Sequence, residues 1–287
     1  MKSKVVVSVI GAGGKMGTRV SNNLAKHPNE VILNCCETSP NGVDSIKSRG
    51  LSVVDASKAV PESDIVVLAV PDVIIKQVSS QIVGYMRSGA TMIILDPAAA
   101  VAKELSMRDD CTFVVTHPCH PSYFIEQETP EARQDYFGGI AGKQDIVMAL
   151  IQGDEAKFST SRTISEWMFA PVRKSFVMGL RQMAFLEPTL VEVLGASTLY
   201  AMSETVNEAV RRGIEREAAV SFLAGHVKVL SSIFLGQLGN VQVSDACKVA
   251  VGVGNRLVLR DDWKRIWQDD VLDKVIETML HPDKPTI

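Results

Sequence analysis

Residues 5–20 read VVVSVIGAGGKMGTRV, and this stretch decides the fold of the first half of the chain. An apolar, β-branched run leads directly into a glycine-rich turn, and the turn leads into a segment with helical periodicity. This order is typical of a dinucleotide-binding unit, because a pyrophosphate can rest on a helix N-terminus only where small residues leave room for it. The glycines fit the frame G-x-x-G-x-x-G, whereas the commoner frame G-x-G-x-x-G would place Met16 at its last position. The predicted cofactor-binding residues of the turn are Gly11, Ala12, Gly13, Gly14, Lys15, Met16 and Gly17.

An acidic residue follows the turn at a suitable distance. A second predicted strand, residues 30–36, ends at Glu37, a little over the roughly 20 residues beyond the turn at which an acidic side chain commonly binds the adenosine ribose hydroxyls. A carboxylate there would repel a 2′-phosphate, and no arginine follows immediately, so the sequence favours NAD over NADP. The alternative for Glu37 is a solvated carboxylate at the end of a strand.

Length and composition exclude several classes of protein. The chain has 287 residues, 46% of them hydrophobic, which is enough for one large domain or two moderate ones. A net charge of -3 without basic blocks argues against a nucleic-acid partner. The opening residues MKSK pass straight into the first strand, and no apolar run reaches the length of about 20 residues that a membrane span needs. We therefore expect a cytoplasmic protein with no membrane partner.

Strand and helix patterns alternate through the first half of the chain. This alternation predicts an α/β fold, a doubly wound parallel sheet forming a Rossmann domain over residues 1–170. In such a sheet a ligand lies outside the carboxyl ends of the strands, so the turns at residues 70–72, 96–98 and 117–121 are predicted to face one crevice. The first of these turns adds Val70, Pro71 and Asp72 to the cofactor-binding residues.

Long helical periods replace this pattern from about residue 175. Residues 175–213 predict one long core helix, or two helices meeting at a bend, with Pro188 as the kink and Gly213 as the cap. Residues 216–236 are apolar over much of the helix circumference, which indicates burial within the subunit or against a partner. We predict a second, all-helical domain over residues 171–287.

Two of the five histidines lie three residues apart in THPCHPSYF, beside two prolines that restrict the backbone. Hydride transfer from an alcohol needs a base for the hydroxyl proton, and histidine titrates near neutrality. His117 is the first candidate for this base, and its alternative is a histidine that only binds a neighbouring loop. His120 is a candidate substrate ligand or second base.

The same segment could also be interpreted as a zinc site or a thiol nucleophile. His117, Cys119 and His120 are all zinc-binding types, but the second closely spaced ligand pair of a structural zinc site is missing. Cys119 lacks an identifiable dedicated base and oxyanion arrangement. Both interpretations rank below the histidine base.

The helical half contributes further candidates. Glu187 lies among apolar residues, so its carboxylate must be paired, protonated or metal-bound. Glu192 lies five positions on, about 140° around a straight helix, and so does not share its face. His226 lies in the apolar segment LAGHVKV, where a satisfied core histidine is the alternative to a catalytic one. Lys174 is a weaker candidate base, because the sequence RKS is typical of a solvated segment.

The chain resembles the superfamily that joins a Rossmann domain to a 6-phosphogluconate-dehydrogenase-like helical domain, and within it the group containing D-apionate oxidoisomerase. The resemblance covers nearly the whole chain and rests on these blocks, in this order: GAGGKMG, AVPD, LDPAAA, HPCHPSYF, FGGIA, ALIQGDE, LEPTLVE and GHVKV. FVVTHP also resembles prephenate dehydrogenases, in which a histidine of an HP block participates in catalysis, and this supports His117. GAGGKMG resembles the turn of dihydrodipicolinate reductases, but the helical second half does not fit that family.

This resemblance implies an NAD-dependent oxidation followed by an isomerisation. Hydride would leave the 2-hydroxyl carbon of a branched sugar acid, and an α-ketol shift would rearrange the resulting 2-oxo acid. A divalent cation would assist the shift, with Glu187 and Glu192 as candidate ligands. The acidic spacing of ketol-acid reductoisomerases is not reproduced, so no metal ligand is assigned.

Two other functions stay open, and one assembly is expected. The alternatives are a plain NAD(P)-dependent hydroxyacid dehydrogenase without isomerisation and a non-catalytic dinucleotide-sensing protein. Related helical domains associate through apolar helix faces, and the segment around His226 is apolar enough for such contact. A homodimer through the helical domain is therefore expected.

Overall fold

The computed structural model describes residues 4–283, and its first compact unit contains a seven-stranded sheet covered by helices. The strands are β1 (Val5–Ile10), β2 (Val31–Cys36), β3 (Ile65–Leu68), β4 (Thr91–Ile94), β5 (Thr112–Pro118), β6 (Gln144–Gln152) and β7 (Val172–Val177). The helices of this unit are α1 (Lys15–Leu24), α2 (Pro40–Ser48), α3 (Ala56–Ala59), α4 (Asp72–Tyr85), α5 (Ala98–Val101), α6 (Pro130–Gln134), α7 (Glu155–Met168) and α8 (Leu180–Ala184), with a 3-10 turn at Val60–Glu62.

The strand order is β2-β1-β3-β4-β5-β6-β7. Strands β1 to β5 are mutually parallel, β6 runs antiparallel to β5, and β7 is parallel to β6. Every residue of β3 and β4 is buried, as expected for β-branched and aliphatic strands with helices on both faces. The predicted doubly wound sheet is confirmed, with two strands, β6 and β7, that run opposite to the other five. The order reverses beside β1, which places a ligand crevice at the carboxyl ends of β1 and β3.

The helical region begins later than the pattern of residues 175–213 predicts. Ser175, Phe176 and Val177 belong to β7, which pairs with β6 at the edge of the sheet. Pairing with β6 overrides the weak local preference of this short segment, as tertiary context often does. The first compact unit therefore extends past the predicted boundary at residue 170, to Phe185. It also includes the chain from Asp273 onward.

The second compact unit, residues 186–272, is helical. A π-helical segment (Phe185–Ala196) precedes α9 (Ser197–Arg211), α10 (Arg216–Phe234), α11 (Asp245–Val258) and a 3-10 turn (Trp263–Trp267). The last helix, α12 (Asp269–Leu280), begins in this unit, and its residues from Asp273 onward belong to the first. Pro188 lies inside the π-helical segment, where wider turns accommodate a residue that has no N–H to donate. Gly213 has φ +88° and donates to the carbonyl of Val210 at 2.9 Å, which confirms the predicted cap.

Helices α10 and α11 have no buried residue within this chain. Large apolar side chains stay exposed on both, including Phe222 at 71% and Leu257 at 80%. Among the described residues, α10 is the one helix whose length and composition would suit a membrane span.

Candidate functional site in the first unit

The glycine turn between β1 and α1 is shaped by close backbone contacts. Gly11 has φ +79°, and a Cβ on it would lie 2.6 Å from the carbonyl oxygen of Ala69. A Cβ on Gly17 would lie 2.0 Å from the carbonyl oxygen of Gly11, so α1 packs directly against the turn. Gly14 differs, because the nearest atom to its Cβ position is 3.4 Å away and the space beyond is open. Two glycines of the frame therefore allow close packing, and one leaves room for a ligand.

A cavity of about 740 Å³ runs along this turn. It is lined by six of the predicted cofactor-binding residues: Gly11, Gly13, Gly14, Glu37, Val70 and Pro71. The other five predicted residues are not part of its lining: Ala12, Lys15, Met16, Gly17 and Asp72. A cavity of this size is within the usual range for cofactor pockets. The open space at Gly14 and the adjacent N-terminus of α1, which no side chain caps, fit a dinucleotide.

Glu37 is tied to the turn by its carboxylate. Oε2 accepts from the N–H of Gly13 at 3.1 Å, and Oε1 accepts from the N–H groups of Thr38 at 2.9 Å and Ser39 at 3.0 Å. Burial by itself would raise the pKa of Glu37, but these N–H groups and the Ser39 hydroxyl hold the pKa below its usual value. Glu37 is therefore a fixed negative charge at the end of β2.

Asp55 is a second carboxylate in the cavity lining, and sequence reasoning missed it. Its side chain accepts from the hydroxyl and the N–H of Ser57 at the start of α3, and both interactions lower its pKa. The local signal, an aspartate before a short helix, indicates only a helix cap. Its place in the cavity depends on an isolated bridge between Cys35 and Val53, which the sequence pattern does not specify.

The three strand ends converge as predicted. Asp72 follows β3, Asp96 follows β4, and His117 is the last residue but one of β5. These strands are parallel neighbours. A carboxylate oxygen of Asp96 lies within 4.8 Å of a ring nitrogen of His117. Burial raises the pKa of Asp72 to about 6, the charge of Asp96 raises it as well, and His117 lowers it. Asp96, to which the sequence assigns no role, is thus part of one electrostatic cluster with His117.

His117 is held in one orientation. Its Nδ1 lies 2.7 Å from the carbonyl oxygen of Leu95. Because a carbonyl only accepts, Nδ1 carries a proton, and in the neutral ring the basic lone pair is on Nε2. The antiparallel pairing of His117 with Val147 fixes the backbone. A defined tautomer on a rigid strand suits a general base.

His120 lies beside His117, with ring centroids 6.2 Å apart. Its φ of +60° is unusual for a residue other than glycine and costs of order 1 kcal/mol. Its Nδ1 lies 2.8 Å from the carbonyl oxygen of Phe137, so this ring also donates through Nδ1. The structure therefore brings together the two histidines that the sequence singles out.

The candidates from the second half of the chain have different surroundings. Glu187 is half-buried in the π-helical segment, and Glu192 is exposed. His226 is exposed on α10, where its Nδ1 lies 2.7 Å from the carbonyl oxygen of Phe222 and its ring stacks on that of Phe222. Lys174 is exposed on β7, with Nζ 4.4 Å from the centroid of Phe176. These contacts fit the solvated interpretation of Lys174, and they show that His226 is not in a core within this chain.

Two family models match the chain. The model "Acetohydroxy acid isomeroreductase, NADPH-binding domain" matches residues 1–136, and "Phosphogluconate dehydrogenase (decarboxylating) C-term" matches residues 125–280. A D-apionate oxidoisomerase from Blautia hydrogenotrophica is 62% identical over 285 residues, which cover 99% of both chains. The chain belongs to the D-apionate oxidoisomerase family. A member from Cupriavidus necator is 40% identical, over 96% of this chain and 99% of its own.

Solved structures also support a two-domain oxidoreductase fold for this member of the D-apionate oxidoisomerase family. A "semialdehyde dehydrogenase NAD-binding protein" from Cupriavidus necator, in complex with calcium and NAD, matches with a TM-score of 0.93 at 38% identity, over 96% of this chain and 100% of its own. An NADH-preferring ketol-acid reductoisomerase from an uncultured archaeon matches with a TM-score of 0.67 at 16% identity, which shows a shared fold alone. This family member is an oxidoreductase with an N-terminal domain for a nicotinamide dinucleotide.

Proposed function

We propose that this protein oxidises D-apionate with NAD and isomerises the 2-oxo product by an α-ketol shift. The observation that carries the proposal is His117, a histidine of defined tautomer at a strand end, in the unit that also holds the dinucleotide cavity. The name of the relative from Blautia supports the substrate, and the NAD complex from Cupriavidus supports the cofactor.

The contacts of His117 support a part for it in the oxidation. When bound, NAD supplies the hydride acceptor for the 2-hydroxyl carbon. His117 accepts the hydroxyl proton at Nε2, because Nδ1 already donates to Leu95. The imidazolium that forms is stabilised by the carboxylate of Asp96, which lies within 4.8 Å. His120 is proposed to bind substrate beside it, 6.2 Å from His117.

The α-ketol shift places a second demand on the protein. The tertiary hydroxyl must lose a proton while one carbon substituent moves with its bonding pair to the adjacent carbonyl carbon, whose oxygen then gains a proton. A divalent cation polarises such a carbonyl efficiently, and the Cupriavidus structure contains calcium. We propose that this chain uses a divalent cation, with Asp96 as a ligand. Rearranged product that still forms after exhaustive chelation would remove the cation from the proposal.

The two carboxylates of the cavity favour NAD over NADP. Glu37 and Asp55 both line it and both have lowered pKa values, so a 2′-phosphate would meet two negative charges. We expect Glu37→Gln to raise the ratio of kcat/KM for NADP to that for NAD about tenfold, since a like charge is removed and hydrogen-bond acceptors remain. Asp44→Asn, an exposed change on α2, is the matched control. An unchanged ratio in Glu37→Gln would contradict this role.

The exposed apolar faces of the helical unit support a homodimer. Neither α10 nor α11 buries a residue within this chain, and a second copy would cover these faces by a self-complementary contact. A second copy that covers α10 would also account for such an apolar helix in a cytoplasmic enzyme. The cytoplasm remains our expectation for the location of this protein.

One experiment separates the proposed function from its two competitors. Purified protein is incubated with NAD and D-apionate, beside a panel of branched and linear sugar acids. NADH is followed by absorbance, and products are identified by NMR. NADH formation with a rearranged carbon skeleton supports the oxidoisomerase. An unrearranged 2-oxo acid would indicate a plain dehydrogenase, and NAD binding without any turnover would indicate a sensor.

A further inference from the structure

Three nitrogen-bearing side chains surround the ring of Phe137, which is 53% exposed. The guanidinium carbon of Arg19 lies 4.7 Å from the ring centroid, and Nζ of Lys15 lies 5.5 Å from it. The ring of His120 lies 6.0 Å away, edge to face. Helix α1 supplies the two permanent cations, and the loop after β5 supplies the histidine. We call this group the Phe137 cluster.

Arg19 is unusual among the arginines of its unit. It is half-buried, yet among residues 4–283 no carboxylate forms an ion pair with it, and its Nη1 donates to the weak acceptor Sδ of Met16 at 3.5 Å. Several other arginines of the unit are paired with aspartates, among them Arg87 with Asp64, Arg108 with Asp110, and Arg173 with Asp145. Within the described part of the chain Arg49 and Arg133 form no such pair, but both donate to oxygen acceptors, whereas the hydrogen bond of Arg19 goes to sulfur. A partly desolvated guanidinium with most of its five donors uncommitted is suited to receive an anion.

The loop that carries Phe137 is fixed in place. The carboxylate of Asp135 is buried, and its Oδ2 accepts from the three N–H groups of residues 140–142, each at 3.0 Å. The buried amide of Asn23, on α1, donates to the carbonyl oxygen of Gly139 at 3.0 Å. The loop is therefore tied both to itself and to α1, so the cations meet a preorganised aromatic ring.

The cluster lies next to both parts of the proposed site. Lys15 and Arg19 line a cavity of about 460 Å³ that includes Gly13 and Gly14, which also line the dinucleotide cavity. On its other side, the ring of His120 lies 6.2 Å from that of His117. An anion held here would lie between the cofactor turn and the proposed base.

We propose that the Phe137 cluster binds the carboxylate of the substrate, with Arg19 and Lys15 as the residues that select an acid. This inference rests on the proposed function, in which the carboxylate is attached to the carbon that is oxidised. A guanidinium gives a carboxylate two parallel hydrogen bonds, and the ammonium of Lys15 adds a second positive charge. The face of Phe137 holds both cations in place through cation–π contact.

The test compares an acid with its uncharged amide. The variants Arg19→Met and Lys15→Met are assayed with D-apionate and with D-apionamide, and KM for NAD is measured for each. Arg19→Lys keeps the charge, and Lys47→Met removes an exposed cation from α2 as the control. We expect Arg19→Met to lower kcat/KM for the acid about 10- to 100-fold, to lower that for the amide by less than threefold, and to leave KM for NAD unchanged. Arg19→Lys should recover most of the preference for the acid.

Two results would overturn the assignment. An equal loss for acid and amide would show a structural role, and a loss confined to NAD affinity would show that the cations serve the pyrophosphate. Binding is also measured without turnover, by titrating glycolate and glycolamide into the NADH-bound enzyme. The wild-type enzyme could leave D-apionate unreacted and still bind glycolate more tightly than glycolamide. That result would contradict the proposed function and support carboxylate binding by the Phe137 cluster. Equal affinity for glycolate and glycolamide contradicts the cluster, whatever the enzyme turns over.

Discussion

At the scale of single residues, the chemistry of the strand ends depends on what surrounds each group. His117 obtains a defined tautomer from the carbonyl of Leu95, and Asp72 obtains a raised pKa from burial and from Asp96. Neither property belongs to the side chain alone. Each can be tested by a substitution that keeps the shape and changes the charge or the proton.

His117→Gln should abolish most of the turnover. The amide can still donate to Leu95 but has no basic nitrogen, so kcat should fall about 10²- to 10⁴-fold, the usual contribution of a general base. Affinity for NADH, measured by fluorescence titration, should stay within twofold. His27→Gln, at a ring stacked on Trp167, is the control and should keep kcat. Activity of His117→Gln within tenfold of wild type would show that another group takes the proton.

Asp72→Asn should stabilise the protein at high pH only. The folded pKa of about 6 lies above the ordinary 3.8, so the unfolded chain loses this proton first and stability falls as pH rises from about 4 to 6. Above pH 6 the wild type carries the full cost of the buried charge, up to about 3 kcal/mol.

The measurement for Asp72→Asn is Tm at two pH values. The Tm of the variant should be close to that of the wild type at pH 4 and higher than that of the wild type at pH 8. The Tm of the control, Asp44→Asn, should equal that of the wild type at both pH values. An equal shift at pH 4 and pH 8 would mean that the charge of Asp72 is not the cause.

At the scale of elements, the contact between α1 and the glycine turn positions the proposed cofactor cavity. Gly17 lies against the carbonyl of Gly11, and that backbone oxygen cannot move without shifting the turn. The loop that carries Phe137 is bound to the same helix by the hydrogen bond from Asn23 to the carbonyl oxygen of Gly139. Helix α1 therefore connects the dinucleotide cavity to the proposed anion pocket.

Gly17→Ala should destabilise the protein by about 3 kcal/mol or more and weaken NADH binding, because the new Cβ meets backbone at 2.0 Å. Gly84→Ala, in α4, is the matched change, since nothing lies within 4 Å of its Cβ position. The free energy of unfolding of this control should be unchanged or higher than that of the wild type by up to about 1 kcal/mol. Urea unfolding and NADH titration measure both effects. Equal stability of the two variants would contradict the close packing at Gly17.

At the scale of the whole molecule, the unpartnered apolar surface of α10 and α11 predicts a second copy. Leu257→Glu should convert a dimer into monomers, because a carboxylate in an apolar interface is strongly unfavourable, and should weaken self-association at least about 100-fold. Sedimentation equilibrium measures this, with Ser48→Glu on the exposed face of α2 as the control. A wild type that is monomeric at micromolar concentration, or that instead sediments with lipid vesicles, would contradict the dimer.

Much of the fold could be predicted because its signals are local. A few neighbouring residues are enough to predict the glycine turn, the apolar strands and the proline-bearing turns at residues 70–72, 96–98 and 117–121. The edge strand β7 and the late start of the helical region could not be read this way. Residues 172–177 become a strand only because β6 offers its hydrogen bonds, and β6 lies about 30 residues earlier in the chain.

The sequence by itself determined the family and the glycine-rich turn, and it singled out Glu37, His117 and His120 as candidates, since residue type and spacing are enough for this. Only the tertiary structure decided the tautomer of His117, the presence of Asp55 in the cavity, and the gathering of Lys15 and Arg19 around Phe137. The physical reason is the distance along the chain between the residues that meet. Arg19 and Phe137 meet because the buried amide of Asn23 holds the loop against α1, while the buried carboxylate of Asp135 holds the loop itself in shape. Contacts of that kind depend on the packing of whole elements, which no local pattern encodes.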